Sequence, residues 1–179
     1  SSQTITGNNK MITSAAFNKA RSNLSSFMLR KADNVAKQIG FGYRDCDNAP
    51  GDFEALQAAY KASKQSGLAL PVWNGCSDNT VYTSCGANYA FRFWHDVLHC
   101  VHGLGFTLQD EITIGLMHHA EVVAYFGPDS IEAKIIYADT VLQSEYEARH
   151  GQFPANQLEF VTNSVMYPNI FEIVYMACL

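Results

Sequence analysis

Residues 88–121 read NYAFRFWHDVLHCVHGLGFTLQDEITIGLMHHAE: two helix-length segments on either side of a glycine turn, holding five of the six histidines. Asn88 can cap a helix that runs to about Gly103, because its side chain accepts from the first free amides. The turn Gly103-Leu104-Gly105-Phe106 is short, and helices joined by so short a link lie antiparallel. Thr107 followed by Asp110 has the form of a capping box, with Asp where Glu or Gln is usual, and opens a second helix to about Phe126. The expected seed of the fold is therefore an antiparallel helical pair.

Outward from this pair the same punctuation recurs. Over residues 13–38, Phe17, Leu24, Phe27, Met28 and Val35 keep helical spacing until Gly40 and Gly42 stop it. Asp52 caps a short helix over about 53–65, closed by Gly67. Residues 68–87 show no period and hold Pro71, Gly75 and Gly86 among several Ser, Asn and Thr. They read as one long irregular loop, either a lid over a site or a short hairpin with residues 80–84 as one arm. After Gly127-Pro128, Asp129 caps a helix over 130–150 that ends at Gly151, and Pro154 and Pro168 delimit two last short helices. Residues 1–10 are polar and read as a loose terminus. The expected fold is all-α, one domain over residues 1–179, a compact bundle of about six or seven helices.

Composition narrows the function. Hydrophobic residues make up 47% of the 179, with 11 Phe, 9 Tyr and 2 Trp, enough for a core and too many for a disordered chain. The formal charge is −5, and the most basic segment, residues 19–37, spreads its five positive charges over about five helical turns. That distribution argues against nucleic-acid or anionic-membrane partners. No apolar run approaches the roughly 18 residues of a membrane span. The five cysteines are odd in number and lack CxxC spacing, and no signal-peptide pattern opens the chain. A reducing cytosol is the expected compartment, with Cys76 and Cys85 read as free thiols.

The histidines carry the chemistry. His95, His99 and His102 lie at i, i+4 and i+7, so at about 100° per residue they share one stripe within roughly 60°. Asp96 sits at the edge of that stripe. Glu111 opens the second helix and His118 follows on nearly the same face, while His119 and Glu121 diverge to either side. Antiparallel packing puts Glu111 near His99 and His118 near the N-terminal half of the first helix, so His95, His99 and Glu111 can converge. Two imidazoles at i, i+4 reach one ion, and mixed imidazole and carboxylate sites suit divalent metals with positions left open for water or substrate. His102 and His118 are expected to support or wall the site, and His119, Glu121 and His150 to face solvent. In the helix over 130–150, Asp139, Gln143 and Tyr146 recur at i, i+4 and i+7, a polar stripe that either lines the pocket or faces water.

The run His95-Asp96-Val-Leu-His99, eleven residues and then Glu111 spell HDxxH-x11-E. This resembles the signature of the coenzyme Q (ubiquinone) biosynthesis protein 4 family. The aromatic run before His95, the Gly-Leu turn and the Glu-Ile opening the next helix add to the likeness, which covers about thirty residues. It implies that His95, Asp96, His99 and Glu111 ligate a metal, with Asp96 resting mainly on the resemblance. It also implies an all-helical fold and a role in removing a ring carboxyl group from a prenylated quinone precursor within a biosynthetic complex. Two other metal motifs fit less well. The zinc-protease motif HExxH uses Glu as its base where this chain has the shorter Asp, and a phosphohydrolase of the His-Asp type wants an upstream histidine, whereas none precedes His95.

The expected function is a small metal-dependent lyase or hydrolase, with Zn, Fe or Mn polarising a carbonyl or carboxylate or activating water. Asp139, His118 and Tyr146 are the candidate proton carriers. Phe91, Phe93, Trp94 and Phe106 are the expected walls around a small, partly apolar substrate. The alternative is a non-catalytic binding or assembly protein with a structural metal, which requires four protein ligands and no open position.

Overall fold

Thr13 accepts a hydrogen bond from the amide of Ala16 at 3.1 Å and so starts α1 (Ser14–Ile39). Gly40, at φ 91°, ends it in the left-handed conformation that most side chains resist. The structure, a computed structural model, describes residues 11–75 and 78–177. The polar residues 1–10, Cys76 and Cys178 lie outside those described. Phe17, Leu24, Phe27, Met28 and Val35 bury one face of α1, which packs on α3 (Cys85–His102) and α5 (Ile131–Tyr137). The spacing seen in the sequence is thus the spacing of the core contact.

Between α1 and α3 the chain departs from a purely helical plan. β1 (Tyr43–Cys46), α2 (Phe53–Ser66) and β2 (Leu70–Trp73) form a small unit whose strands pair in parallel, Tyr43 opposite Leu70 and Cys46 opposite Trp73. The expectation of one irregular loop over residues 68–87 is corrected here. Leu70 and Val72 are buried and Trp73 is exposed, a period of two that four residues are too few to announce. Pro71 is compatible because both strands of a two-stranded sheet are edges. Residues 78–84 form turns and bends rather than a hairpin arm.

α3 begins at Cys85, earlier than expected, because Ser84 accepts from the Ala87 amide at 3.1 Å and Asn88 is buried inside the helix. α4 (Leu108–Phe126) begins where expected, with Thr107 accepting from the Asp110 amide at 3.2 Å. The Asp110 carboxylate accepts instead from the Gly105 amide at 2.9 Å, so it ties the turn rather than closing a capping box.

The helix over residues 130–150 is capped by Ser130 rather than Asp129, with the Ala133 amide donating to the Ser130 hydroxyl. Nor is it uniform: α5 passes through a π-helical turn at Ala138–Leu142 into α6 (Gln143–His150). This turn presses on Gly115 of α4, where an added Cβ would lie 2.9 Å from Val141 and 3.0 Å from Thr140. After α7 (Gln157–Met166), α8 (Pro168–Phe171) runs into a second π-helical turn at Glu172–Met176. Counting each π-helical turn with the helix it continues, seven helices and one small sheet make up the described residues. None of these helices is long and apolar enough to cross a membrane. Phe93, Trp94, Phe160, Leu24 and Met28 are among the fully buried side chains that join the helices into one apolar cluster. Each such side chain contributes roughly 1.5–3 kcal/mol of burial.

Candidate metal centre

On α3 the helical period separates two faces. Phe93, Trp94 and Val97 turn into the core, while Phe91, His95 and His99 share the stripe that looks away from α1. The expectation that Phe93 and Trp94 wall a pocket is therefore corrected, and Phe91 and Phe106 line it. Gly103, at φ 63°, ends α3, and the short turn brings α4 back so that its first turn meets the histidine stripe.

Three donor groups converge there. His95 Nε2 lies 3.0 Å from His99 Nε2 and 3.2 Å from Glu111 Oε2. His99 Nε2 lies 3.4 Å from Glu111 Oε1. His99 Nδ1 is 2.8 Å from the Leu104 carbonyl, which can only accept, so Nδ1 donates and Nε2 is the nitrogen that faces the cluster. Ligand atoms about 2.0–2.2 Å from one ion stand roughly 2.8–3.6 Å apart, and the observed separations fall in that range. Without a cation or a shared proton, two imidazole lone pairs and a carboxylate this close repel one another. His95, His99 and Glu111 form a group that can hold a metal ion.

The electrostatics agree. Burial pushes the Glu111 carboxyl up, but the hydrogen bonds and the charges of His95 and His99 together outweigh it and hold its pKa down at about 2. His99 is pulled in two directions: burial lowers its pKa, and the bond to Glu111, the Glu111 charge, the Leu104 carbonyl and Asp96 together raise it by more. Asp96 lies outside the converging group yet lines the same cavity. Burial lifts its pKa to about 6 against the lowering pull of His95 and His99.

The remaining residues singled out by spacing divide. His118 is fully buried, does not line the cavity, and sets its Nε2 3.0 Å from His95 Nδ1. Burial, followed by the neighbouring His95 and His99, holds its pKa well below the usual imidazole value. Asp139 lines the cavity from the π-helical turn, accepting from the Tyr82 hydroxyl at 3.1 Å and the Gln143 amide at 2.8 Å. Burial raises its pKa to about 6, while the Tyr82 bond, Arg92 and His95 pull it back.

Tyr146 does not line the cavity: it packs on His150 at 4.1 Å and on Phe160 at 5.3 Å. The π-helical turn inserts extra arc, so the stripe that faces the cavity runs Asp139, Gln143, Glu147, and position 146 falls off it. His102 is exposed, His119 packs on Tyr137, and Glu121 pairs with Lys31 at 2.7 Å.

The group opens on a cavity of about 970 Å³, at the upper end of the range for small-molecule sites. Trp73 and Phe153 stand half-exposed on its wall. Arg92, one turn before Asp96, lines it too, with its guanidinium over the Trp73 ring at 4.9 Å and donating to the Trp73 carbonyl. Sequence reasoning missed Arg92 although it lies on the histidine stripe. It also missed Tyr82, Trp73 and the Leu104 carbonyl, for which no local signal exists. Compared with protein-family models, curated proteins and solved structures, the chain matches none.

Proposed function

We propose that this protein is a metal-dependent enzyme, similar to coenzyme Q biosynthesis protein 4. In this reading a divalent ion (Zn, Fe or Mn) is held by His95, His99 and Glu111, with Asp96 as the fourth ligand that the HDxxH-x11-E motif implies. The observation that supports it is the meeting of three donor groups at 3.0–3.4 Å on the wall of a large cavity. The three converging donors are a two-histidine, one-carboxylate set of the kind that leaves positions open, and a six-coordinate ion keeps two of them open even with Asp96 bound. When bound, such an ion supplies Lewis acidity to a carbonyl or carboxylate, or lowers the pKa of a coordinated water.

The chain's own residues would do the rest. Phe91 and Phe106 give a small, partly apolar substrate, aromatic or prenylated, two ring faces to lie against. Asp139, poised near pH 6 and steadied by Tyr82 and Gln143, is placed to hand a proton to or from that substrate. Loss of a carboxyl group from a prenylated ring and hydrolysis at a carbonyl are the two reactions that fit these parts. The free thiols of Cys46, Cys85 and Cys100 suit a reducing compartment such as the cytosol.

The test uses chelator-stripped protein reloaded with Co²⁺, whose visible spectrum reports coordination. Added azide or a small carboxylate changes the spectrum if a position is open. A spectrum indifferent to every added ligand identifies a saturated, structural metal and rejects the enzyme.

A further inference from the structure

A metal-bound histidine usually passes its second ring proton to a carboxylate, a backbone carbonyl or water, and that partner fixes which nitrogen faces the metal. His99 follows the rule through the Leu104 carbonyl. His95 does not. The group at its Nδ1 is another imidazole, with His118 Nε2 at 3.0 Å. The two rings are inclined by only 14° with centroids 5.2 Å apart. Two imidazoles sharing one in-plane N–H···N bond of that length have centroids about 5.3 Å apart, so this is an in-plane hydrogen bond and not a face-to-face stack.

One proton lies between these nitrogens, and its owner decides what His95 can do. If His118 gave it, the His95 proton would sit on Nε2 and point at His99 and Glu111, blocking the metal position. If His95 gives it, His95 Nε2 is bare. The His118 proton is then on Nδ1, which is buried and has no hydrogen-bond partner. Trp94, with its ring at 4.2 Å, and Phe91, at 4.9 Å, close around His118 and leave it 0% exposed. That orphaned nitrogen costs on the order of 1–3 kcal/mol, a penalty with no structural return unless the imidazole serves His95.

We propose that His118 is a positioning residue for the metal centre: a neutral imidazole that accepts the Nδ1 proton of His95 and so aims His95 Nε2 at the ion. The inference rests on the metal reading above and adds to it the role of a residue outside the cavity. A carboxylate at this position would be a buried anion behind His95, in addition to Glu111, and would offset more of the ion's charge. A neutral acceptor fixes the ring and leaves the ion the stronger Lewis acid.

The test is Zn²⁺ affinity, measured by competition with a chromophoric chelator, for the unaltered protein, His118→Phe and His118→Gln. Phe keeps an aromatic ring but cannot accept, and the Gln carbonyl can stand near the position of Nε2. His118→Phe is expected to bind Zn²⁺ about 10–100-fold more weakly, and His118→Gln to recover affinity to within about threefold. In parallel, ¹⁵N spectra of the unaltered zinc-loaded protein should show His95 protonated at Nδ1 and His118 unprotonated at Nε2. Zinc binding that survives unchanged in His118→Phe, or His95 bound through Nδ1, overturns the inference alone. Failure of the unaltered protein to bind zinc overturns the metal reading and this inference with it. Should His118→Phe not fold, the ¹⁵N spectrum decides.

Discussion

His99 is the residue on which the centre depends most. It is fully buried, its Nδ1 is committed to the Leu104 carbonyl, and its Nε2 meets both other donors. His99→Ala is expected to weaken metal binding at least 100-fold, because two donors cannot replace three. Metal analysis of the purified variant checks this, and a stoichiometric metal in it would remove His99 from the site. Asp139 gives a prediction of another kind. Its pKa, raised to about 6 from 3.8, means the folded chain holds this proton more tightly than the unfolded chain. The stability it contributes therefore falls as pH rises from about 4 to about 6 and stays lower above. The stability of Asp139→Asn relative to the unaltered protein should be about 3 kcal/mol more favourable at pH 8 than at pH 4, as measured by urea unfolding at both. A difference independent of pH would contradict the assignment. The i, i+4 spacing of His95 and His99 was legible in the sequence because a helix converts it directly into a shared face. Tyr146 was misplaced because a π-helical turn shifts everything after it by part of a turn, and nothing in the composition marks that turn.

Among the elements, the caps Asp52 and Thr107 and the stops Gly67 and Gly151 were legible because each satisfies orphaned helix-end groups by local chemistry, whereas Asn88 and Asp129 yielded to Ser84 and Ser130, equally good cap residues close by. β2 was hidden for the opposite reason. Its pairing with β1 is a contact across α2, and four residues carry too little pattern to predict it. The π-helical turn at Ala138–Leu142 rests on the bare Cα of Gly115, where a methyl group would meet Val141 and Thr140 at 2.9–3.0 Å. Gly115→Ala is expected to destabilise the protein by about 1–3 kcal/mol through overpacking. It should also displace Asp139 from the cavity wall, so the gain of Asp139→Asn at pH 8 relative to pH 4 should shrink when the two changes are combined. A double-mutant cycle measures that coupling, and strict additivity would separate Gly115 from the placement of Asp139.

At the scale of the whole molecule, an all-α bundle was legible from periodicity and punctuation. The cavity was not, because its wall is assembled from residues as distant in sequence as Trp73, His95, Asp139 and Phe153. Binding of a cation at the junction of α3 and α4 should stabilise the entire fold by mass action. With free metal at 100 times its dissociation constant the gain is about 2.7 kcal/mol, or a rise in Tm of roughly 5–10 °C for a chain of this size. A scan with and without chelator reads this directly, and an identical Tm in both would speak against a site in the folded state. The decisive measurement is a calorimetric Zn²⁺ titration of the chelator-stripped protein beside Glu111→Gln, a substitution that keeps the shape of the side chain and removes its charge. One equivalent bound by the unaltered protein, and binding weakened at least tenfold in Glu111→Gln, is the expected result. No saturable binding, or equal binding by both proteins, would place the metal elsewhere or nowhere.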